Sequence, residues 1–476
     1  MKQSIYYENE YKKFLENKRK KHVESGIIID ESKLNNNLFP FQKFCIKRAL
    51  KAGKYALFED CGLGKTIQQL DWANQVSKIT NKPVIILAPL VVAEQTINEG
   101  LKFGIEVNKY TESIKTGVYI SNYEQLDNIN CDMFSGVVLD ESSILKNFEG
   151  KTRNNIIEKF KNTPYKLACT GSPAPNDPME LGNHSEFLDV MSRNEMLAMF
   201  FVHDGGETGK WRIKGHAHNE FWRFVSTWAI MLTNPKDIGF PMVGYDLPEL
   251  KMFENVISTK KKLNGKLFND SAVSATDFNG ELRLTKIERM DKCVDLVNKS
   301  KDQFIIWIKQ NEEGELLRRL IPDAVEVTGS DTNENKTKRL LGFANGEYRI
   351  LITKLKIASF GMNFQNCSNQ IFASLDFSFE GLYQGIRRSY RFGQNKSVNI
   401  FIITTDTMSN VLESIKNKQE LFTKMQNEMS KSSNEHLFED EIIKYKSELK
   451  DFKSKNATLI LGDSVIIIDD VPNESI

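Results

Sequence analysis

No two of the six cysteines form a C-x-x-C pair: they stand at positions 45, 61, 131, 169, 293 and 367. That scatter excludes a disulfide framework and a cysteine-rich zinc site, and the residues read as reduced thiols of a cytoplasmic protein. Net charge is nearly absent as well, with 64 Lys plus Arg against 63 Asp plus Glu and a formal balance of +1. Bulk attraction to phosphate or to an anionic membrane is thereby excluded, so a nucleic-acid site has to be a local basic groove. No apolar run approaches the ~20 residues that span a bilayer, and the charged amino terminus lacks the apolar core of a signal peptide. The chain is expected to be soluble, with no membrane partner.

What is present is a long, rhythmic chain. Its 476 residues imply two to four folding units at roughly 100 to 200 residues each. Short apolar runs at 55–58, 84–88, 118–120, 136–139 and 166–169 alternate with amphipathic stretches, and a second series follows at 304–308, 324–327, 350–353, 370–373 and 398–403. Runs bounded by turn residues and separated by helical patterns predict βαβ units and hence two parallel sheets. The expected division is an arm over 1–37, a first α/β lobe over 38–190, an insertion and linker over 191–290, a second α/β lobe over 291–407, a charged helical brace over 408–455 and a strand-like tail over 456–476. Within the insertion, Phe221, Trp222, Phe224 and Trp228 read as a satellite core, with a wedge or substrate clamp as the functional alternative. His203, His216 and His218 share one polar segment with no cysteine near them, and His216-x-His218 reads as an exposed strand rather than part of a zinc site.

The chemistry sits at strand ends. Asp60-Cys-Gly62-Leu-Gly64-Lys65-Thr66 follows an apolar run and opens a helical one, so backbone N–H groups and the helix dipole would face an anion while the glycines permit close approach. Lys65 would reach the β and γ phosphates of a nucleotide and Thr66 would hold Mg²⁺; Glu59 stands where the full pattern has its first glycine. Val137-Val-Leu139 delivers Asp140 and Glu141 at a strand's carboxyl end, where Asp140 suits Mg²⁺ and Glu141 suits activation of the attacking water. Arg388 and Arg391, three apart, are expected on one helix face as the positive charge that phosphoryl transfer needs. Each element alone has an ordinary reading, as a glycine turn, an acidic turn or a solvated basic helix. Their order along one chain argues against that.

Taken together the motifs resemble the Swi/Snf-type ATPases of helicase superfamily two, in the compact form common in bacteriophages and prophages. Leu38-Phe-Pro40-Phe-Gln42 is similar to that family's adenine-recognising motif, and DCGLGKT to its phosphate loop. Ala88-Pro89-Leu90, Ser121-Asn122-Tyr123, LDESS, Thr170-Gly-Ser172-Pro, Thr328-Gly-Ser330, Gly361-Met-Asn363 and QGIRRSYRFGQ resemble the later motifs, in order, from about Leu38 to Met425. The resemblance implies two RecA-like lobes in tandem of the P-loop NTPase class, ATP and Mg²⁺ as ligands, and a bacterial or phage-infected cytoplasm. It implies nucleotide binding by Gln42, Asp60, Gly62, Gly64, Lys65, Thr66 and Gln384, and arginine fingers at Arg388 and Arg391. It also implies duplex DNA held through Pro89, Asn122, Ser172, Thr353, Lys354 and Asn363, with most contacts to phosphates. Three departures stand out: Ser142 and Ser143 follow the acid pair where a histidine often links hydrolysis to the T-G-T-P element, Tyr390 replaces a histidine, and Lys354-Leu-Lys356 replaces a glycine-rich turn. A DNA translocase or remodeller is the expected activity; a strand-separating DNA or RNA helicase and a non-catalytic DNA clamp or scaffold are the alternatives. Residues 457–476 resemble the opening strand of bacterial DNA amino-methyltransferases, although no D-P-P-Y-like tetrapeptide occurs anywhere in the chain. The segment reads as part of a split or truncated helicase–methylase fusion, as a dock for a separately encoded methyltransferase or another phage DNA-processing protein, or equally as a terminal strand completing the second lobe.

Overall fold

The computed structural model describes residues 24–89, 92–203, 211–241, 245–258, 277–358 and 363–451, with the pairs 453–454 and 457–458. Most of the arm, Leu90, Gly361 and nearly all of the methyltransferase-like tail lie outside the described residues.

The first sheet contains β1 (Lys54–Glu59), β2 (Val84–Ala88), β3 (Val107–Lys109), β4 (Val118–Asn122), β5 (Gly136–Asp140) and β6 (Tyr165–Thr170). A two-stranded ribbon follows, β7 (Phe201–His203) with β8 (Trp211–Ile213), and then β9 (Ala229–Leu232). The second sheet contains β10 (Leu250–Ile257), β11 (Phe304–Ile308), β12 (Ala324–Val327), β13 (Ile350–Lys354), β14 (Asn369–Phe372) and β15 (Val398–Thr405). Strand order is β3-β4-β2-β5-β6-β1-β9 in one and β10-β15-β14-β11-β13-β12 in the other. Every pairing within both sheets is parallel. Parallel strands are covered on both faces, which is why the central ones read as continuous apolar runs. Successive side chains still part company: Ala56 and Phe58 of β1 face one core while Tyr55 and Leu57 face another, and in β11 Ile305 and Trp307 separate from Phe304, Ile306 and Ile308 in the same way.

The segment 191–290, expected as an insertion and linker, instead supplies an edge strand to each sheet, β9 beside β1 and β10 beside β15. Its aromatic cluster is core: Phe221, Trp222, Val225 and Trp228 are buried along one side of the helix His218–Trp228. Burying each such side chain contributes about 1.5 to 3 kcal/mol. Residues of the arm also pack, for Ile27, Ile29 and Leu34 join the core under the helix Pro40–Ala52, and the Gly26 and Ile27 N–H groups donate to Lys51 and Leu50 carbonyls.

A helix runs from Ser409 to Asp451. It leaves the second sheet and packs back against His218–Trp228 and β9 of the first. Val411, Ile415, Phe422, Met425 and Met429 are buried there, in an apolar cluster continuous with the inner faces of both sheets. Among the described residues, no helix is long and apolar enough to cross a membrane.

Candidate functional site

β1 ends at Glu59 and the helix Lys65–Thr80 begins six residues on, so the intervening loop must turn sharply. Gly62 (φ 97°) and Gly64 (φ 79°) take the left-handed conformations that this turn requires. A Cβ on Gly64 would collide with Gln42 Nε2, so a larger residue would have to displace that amide as well as strain the left-handed backbone. Gln42 itself is buried: its Nε2 donates to the Leu63 carbonyl at 2.8 Å and its Oε1 accepts from the Phe39 N–H at 2.9 Å. The side chain expected at adenine thus ties the start of its own helix to the phosphate loop.

Lys65 folds over this loop, its Nζ donating to the Glu59 and Asp60 carbonyls at 2.7 and 3.2 Å. Burial works against its ammonium, but Cys61, Glu141, Glu59 and Asp60 outweigh burial and hold its pKa above the ordinary lysine value. Thr66 follows, half-buried in the first turn. Glu59, in place of the first glycine, is fully buried and accepts from Gln68 Nε2 at 2.6 Å. Burial raises its pKa to about 7.

Two strands away, Asp140 ends β5 and accepts from Gln69 Nε2 at 2.8 Å. Glu141 follows in a left-handed conformation (φ 54°), and Thr170 Oγ1 reaches its Oε2 at 3.4 Å. Burial first, then for Glu141 the charge of Asp140, raises both carboxyl pKa values. Lys65 opposes the rise for both, and Arg388 opposes it for Glu141.

The histidine displaced from sequence after Asp140-Glu141 has a counterpart in space. His184, in the helix Leu181–Phe187, is fully buried with its Nε2 3.1 Å from Ser142 Oγ and its ring edge-on to Phe58 at 5.1 Å. Burial pushes its pKa down to about 3 from 6.5. Because the folded value is the lower one, the unfolded chain binds the extra proton. The neutral ring's contribution to stability is thus intact above pH 6.5 and is lost as pH falls toward about 3. Over that window one proton contributes a slope of about 1.4 kcal/mol per pH unit. Urea unfolding at stepped pH should show that slope in the parent chain and its loss in His184→Asn; identical profiles would exclude His184 as the titrating group.

The second sheet delivers the cations. The helix Phe379–Ile386 ends before the arginines, so Arg387, Arg388 and Arg391 ride on a turn and not on the shared helical face expected for Arg388 and Arg391. The turn rests against the phosphate loop: a Cβ on Gly62 would lie 3.0 Å from the Phe392 nitrogen and 3.4 Å from Arg391 Cβ. Arg391 Nε is buried without an acceptor among the described residues, and burial, with Arg388 beside it, lowers its pKa. A buried guanidinium N–H lacking a partner is costly unless an anion enters. That donor, the paired acids and the glycine turn fit a Mg²⁺–nucleotide. The described residues hold no group of three or more His, Cys, Asp or Glu suited to a metal. Magnesium bound through one or two protein oxygens and the substrate's phosphates needs none.

Other expected site residues lie elsewhere. The Asp60 carboxylate is committed to Arg387, to the Tyr383 hydroxyl at 2.5 Å and to the Cys61 N–H at 2.7 Å, so it does not face a nucleotide, whose phosphates it would repel. Gln384 turns toward Glu380, 3.5 Å away. Of the expected DNA contacts, Ser172 and Thr353 are buried, their hydroxyls donating to Glu380 at 3.2 Å and to the Val327 carbonyl at 3.1 Å, which removes them from any open groove. Asn363 is exposed, and Pro89, Asn122 and Lys354 are partly so. Arg387, Tyr383, Glu380, Lys146 and His184 escaped sequence reasoning. Glu380 receives both Ser172 and Lys146 across the lobes, and nothing in local spacing signals such a contact.

Residues 285–393 match the family model of the helicase conserved C-terminal domain. Over 439 residues the chain is 23% identical to the SWI/SNF-related matrix-associated actin-dependent regulator of chromatin subfamily A-like protein 1 of Drosophila melanogaster, covering 83% of this chain and 57% of that protein. It is 23% identical over 443 residues to the DNA annealing helicase and endonuclease ZRANB3 of Bos taurus, covering 81% of this chain and 40% of that one. The chain thus spans about half the length of these relatives. Among solved structures it is similar to S. cerevisiae Dbp5 bound to RNA and ADP BeF3, with a TM-score of 0.50 and 12% identity over 83% of this chain and 98% of that one. That likeness is one of fold: two RecA-like α/β lobes in tandem.

Proposed function

We propose that this chain hydrolyses ATP between its two lobes and uses the energy to translocate on or remodel duplex DNA. The observation that carries the reading is convergence: Lys65, Asp140 and Glu141 of the first lobe lie within one another's electrostatic reach, Arg388 of the second acts on Glu141, and Arg391 packs beside Gly62 of the glycine turn. On nucleotide binding Lys65 exchanges its loop carbonyls for phosphate oxygens. Glu141, made more basic by burial and by Asp140, takes the proton of the attacking water. Arg388 and Arg391 offset the charge that develops on the transferred phosphoryl group. Thr66 and Asp140 would hold Mg²⁺, which neutralises phosphate charge when bound.

Duplex DNA as the track is supported by the similarity to relatives named for chromatin and DNA annealing; Asn363, Lys354 and Asn122, wholly or partly exposed, would donate to phosphates, with Pro89 packing beside the backbone. ATP hydrolysis should rise with duplex DNA more than with single-stranded DNA or RNA, and the stimulation should fade with added salt as counterions compete for phosphates. Equal or greater stimulation by RNA would overturn the duplex assignment. Displacement of a triplex strand from blunt duplex, without unwinding of a forked one, separates translocation from strand separation. A methyltransferase partner for the segment 457–476 is tested by pull-down with the full chain and with that segment deleted; equal recovery would exclude it.

A further inference from the structure

The ion pair between Arg387 and Asp60 joins the second lobe to the phosphate loop without touching the hydrolytic residues. The Asp60 side chain is 3% exposed and that of Arg387 18%. Asp60 Oδ1 accepts from the Tyr383 hydroxyl at 2.5 Å and from the Cys61 N–H at 2.7 Å, while Oδ2 takes the Arg387 guanidinium. The guanidinium is flanked by two rings, its carbon 5.2 Å from the Tyr383 centroid and 5.3 Å from that of Tyr390. Tyr390 is the residue that departs from the family's histidine. At the other end of the same residue, the Asp60 carbonyl accepts from Lys65 Nζ at 3.2 Å. One loop residue therefore connects the second lobe to the phosphate-binding lysine.

We propose that Arg387 is a positioning residue which, held between Tyr383 and Tyr390, clasps Asp60 so that phosphate-loop geometry and lobe closure become a single event, placing Arg391 and Arg388 over the phosphates. A buried ion pair adds little net stability, but removing one partner leaves an unpaired charge, which suits it to specifying one arrangement of two bodies. The planar guanidinium, set over two aromatic rings, offers its donors in a fixed fork and so gives a direction as well as an attraction, which a lysine would not. Burial and the charge of Asp60 push the Tyr383 pKa up, so its hydroxyl stays a donor. Burial opposes the Arg387 charge, but the Asp60 carboxylate more than offsets burial and keeps that pKa above the ordinary value. The consequence for turnover rests on the ATP-hydrolysis reading; the clasp itself does not.

Two measurements on the full-length chain test this. Without nucleotide, amide exchange over residues 61–65 should be at least about tenfold faster in Arg387→Gln and in Asp60→Asn than in the parent. Should either fail to fold, Tyr383→Phe removes only the hydroxyl and should quicken the same amides by about threefold. Parent-like exchange in every folded variant overturns the clasp. In steady-state hydrolysis, Arg387→Gln should lower kcat by about 10- to 100-fold with KM within about threefold, Arg387→Lys should rescue little, and the double variant with Asp60→Asn should be no slower than the worse single. Strictly additive losses, or full rescue by lysine, count against it. A parent chain that hydrolyses no ATP would refute the nucleotide reading, while amide exchange would still decide the clasp.

Discussion

Arg391→Ala is expected to bind ATP with near-parental affinity yet hydrolyse it about 10³-fold more slowly, the scale associated with loss of an arginine finger. Its Nε is already buried and without an acceptor among the described residues, so the desolvation cost of presenting a cation to the phosphates is met in the folded chain. Lys65 and the loop amides remain to bind ground-state phosphates, which is why affinity survives. Equilibrium binding of a fluorescent ATP analogue beside steady-state kcat makes the comparison. A loss confined to affinity, with kcat unchanged, would remove Arg391 from the reacting site. Arg388→Ala should behave alike with a smaller loss, because Arg388 also opposes the pKa rise of Glu141.

Glu141→Gln should produce the second large effect, a chain that retains ATP and turns it over about 10²- to 10⁴-fold more slowly. Glutamine keeps the size of the side chain and can still meet Thr170 Oγ1, so the left-handed backbone at φ 54° is not disturbed. What it removes is basicity, which burial and the neighbouring Asp140 had raised. Single-turnover mixing distinguishes slow chemistry from slow product release. Parental single-turnover rates in this variant would assign the water-activating role elsewhere. Asp140 cannot substitute easily, since its Oδ1 is held by Gln69.

The sheets were legible where burial is complete. β2 and β11 are unbroken apolar runs because parallel central strands are covered on both faces, and such runs announce themselves without a partner in view. β10 does not: most of its eight residues are exposed at a sheet edge, and their mixed polarity resembles a linker. β9 is buried but only four residues long and follows an aromatic helix without a turn residue between them, so its apolar content merged with that helix. The arginine turn misled for a related reason. A spacing of three suits a helix, but the backbone ends its helix at Ile386 and the last turn's N–H groups bond locally through Arg388 to Gly385 and Ser389 to Ile386.

The parts of the proposed site were written locally: a glycine turn before Lys65, an acid pair at the end of an apolar strand, and a cluster of arginines. Each depends on short-range backbone geometry and on where a strand stops, and both are encoded within a few residues. Which of those groups meet was decided only by the tertiary structure. Motif spacing singled out Arg388 and gave Arg387 no role, and folding sends Arg387 to Asp60 while Arg388 acts on Glu141. The sequence showed no histidine after Asp140-Glu141, and folding brings His184 to Ser142 from another helix. Ser172 and Thr353, expected at DNA, became buried donors to carboxylate and carbonyl. Pairings between residues far apart in the chain follow from the packing of two lobes against each other, and a buried group takes whichever partner that packing supplies because leaving it unpaired costs more.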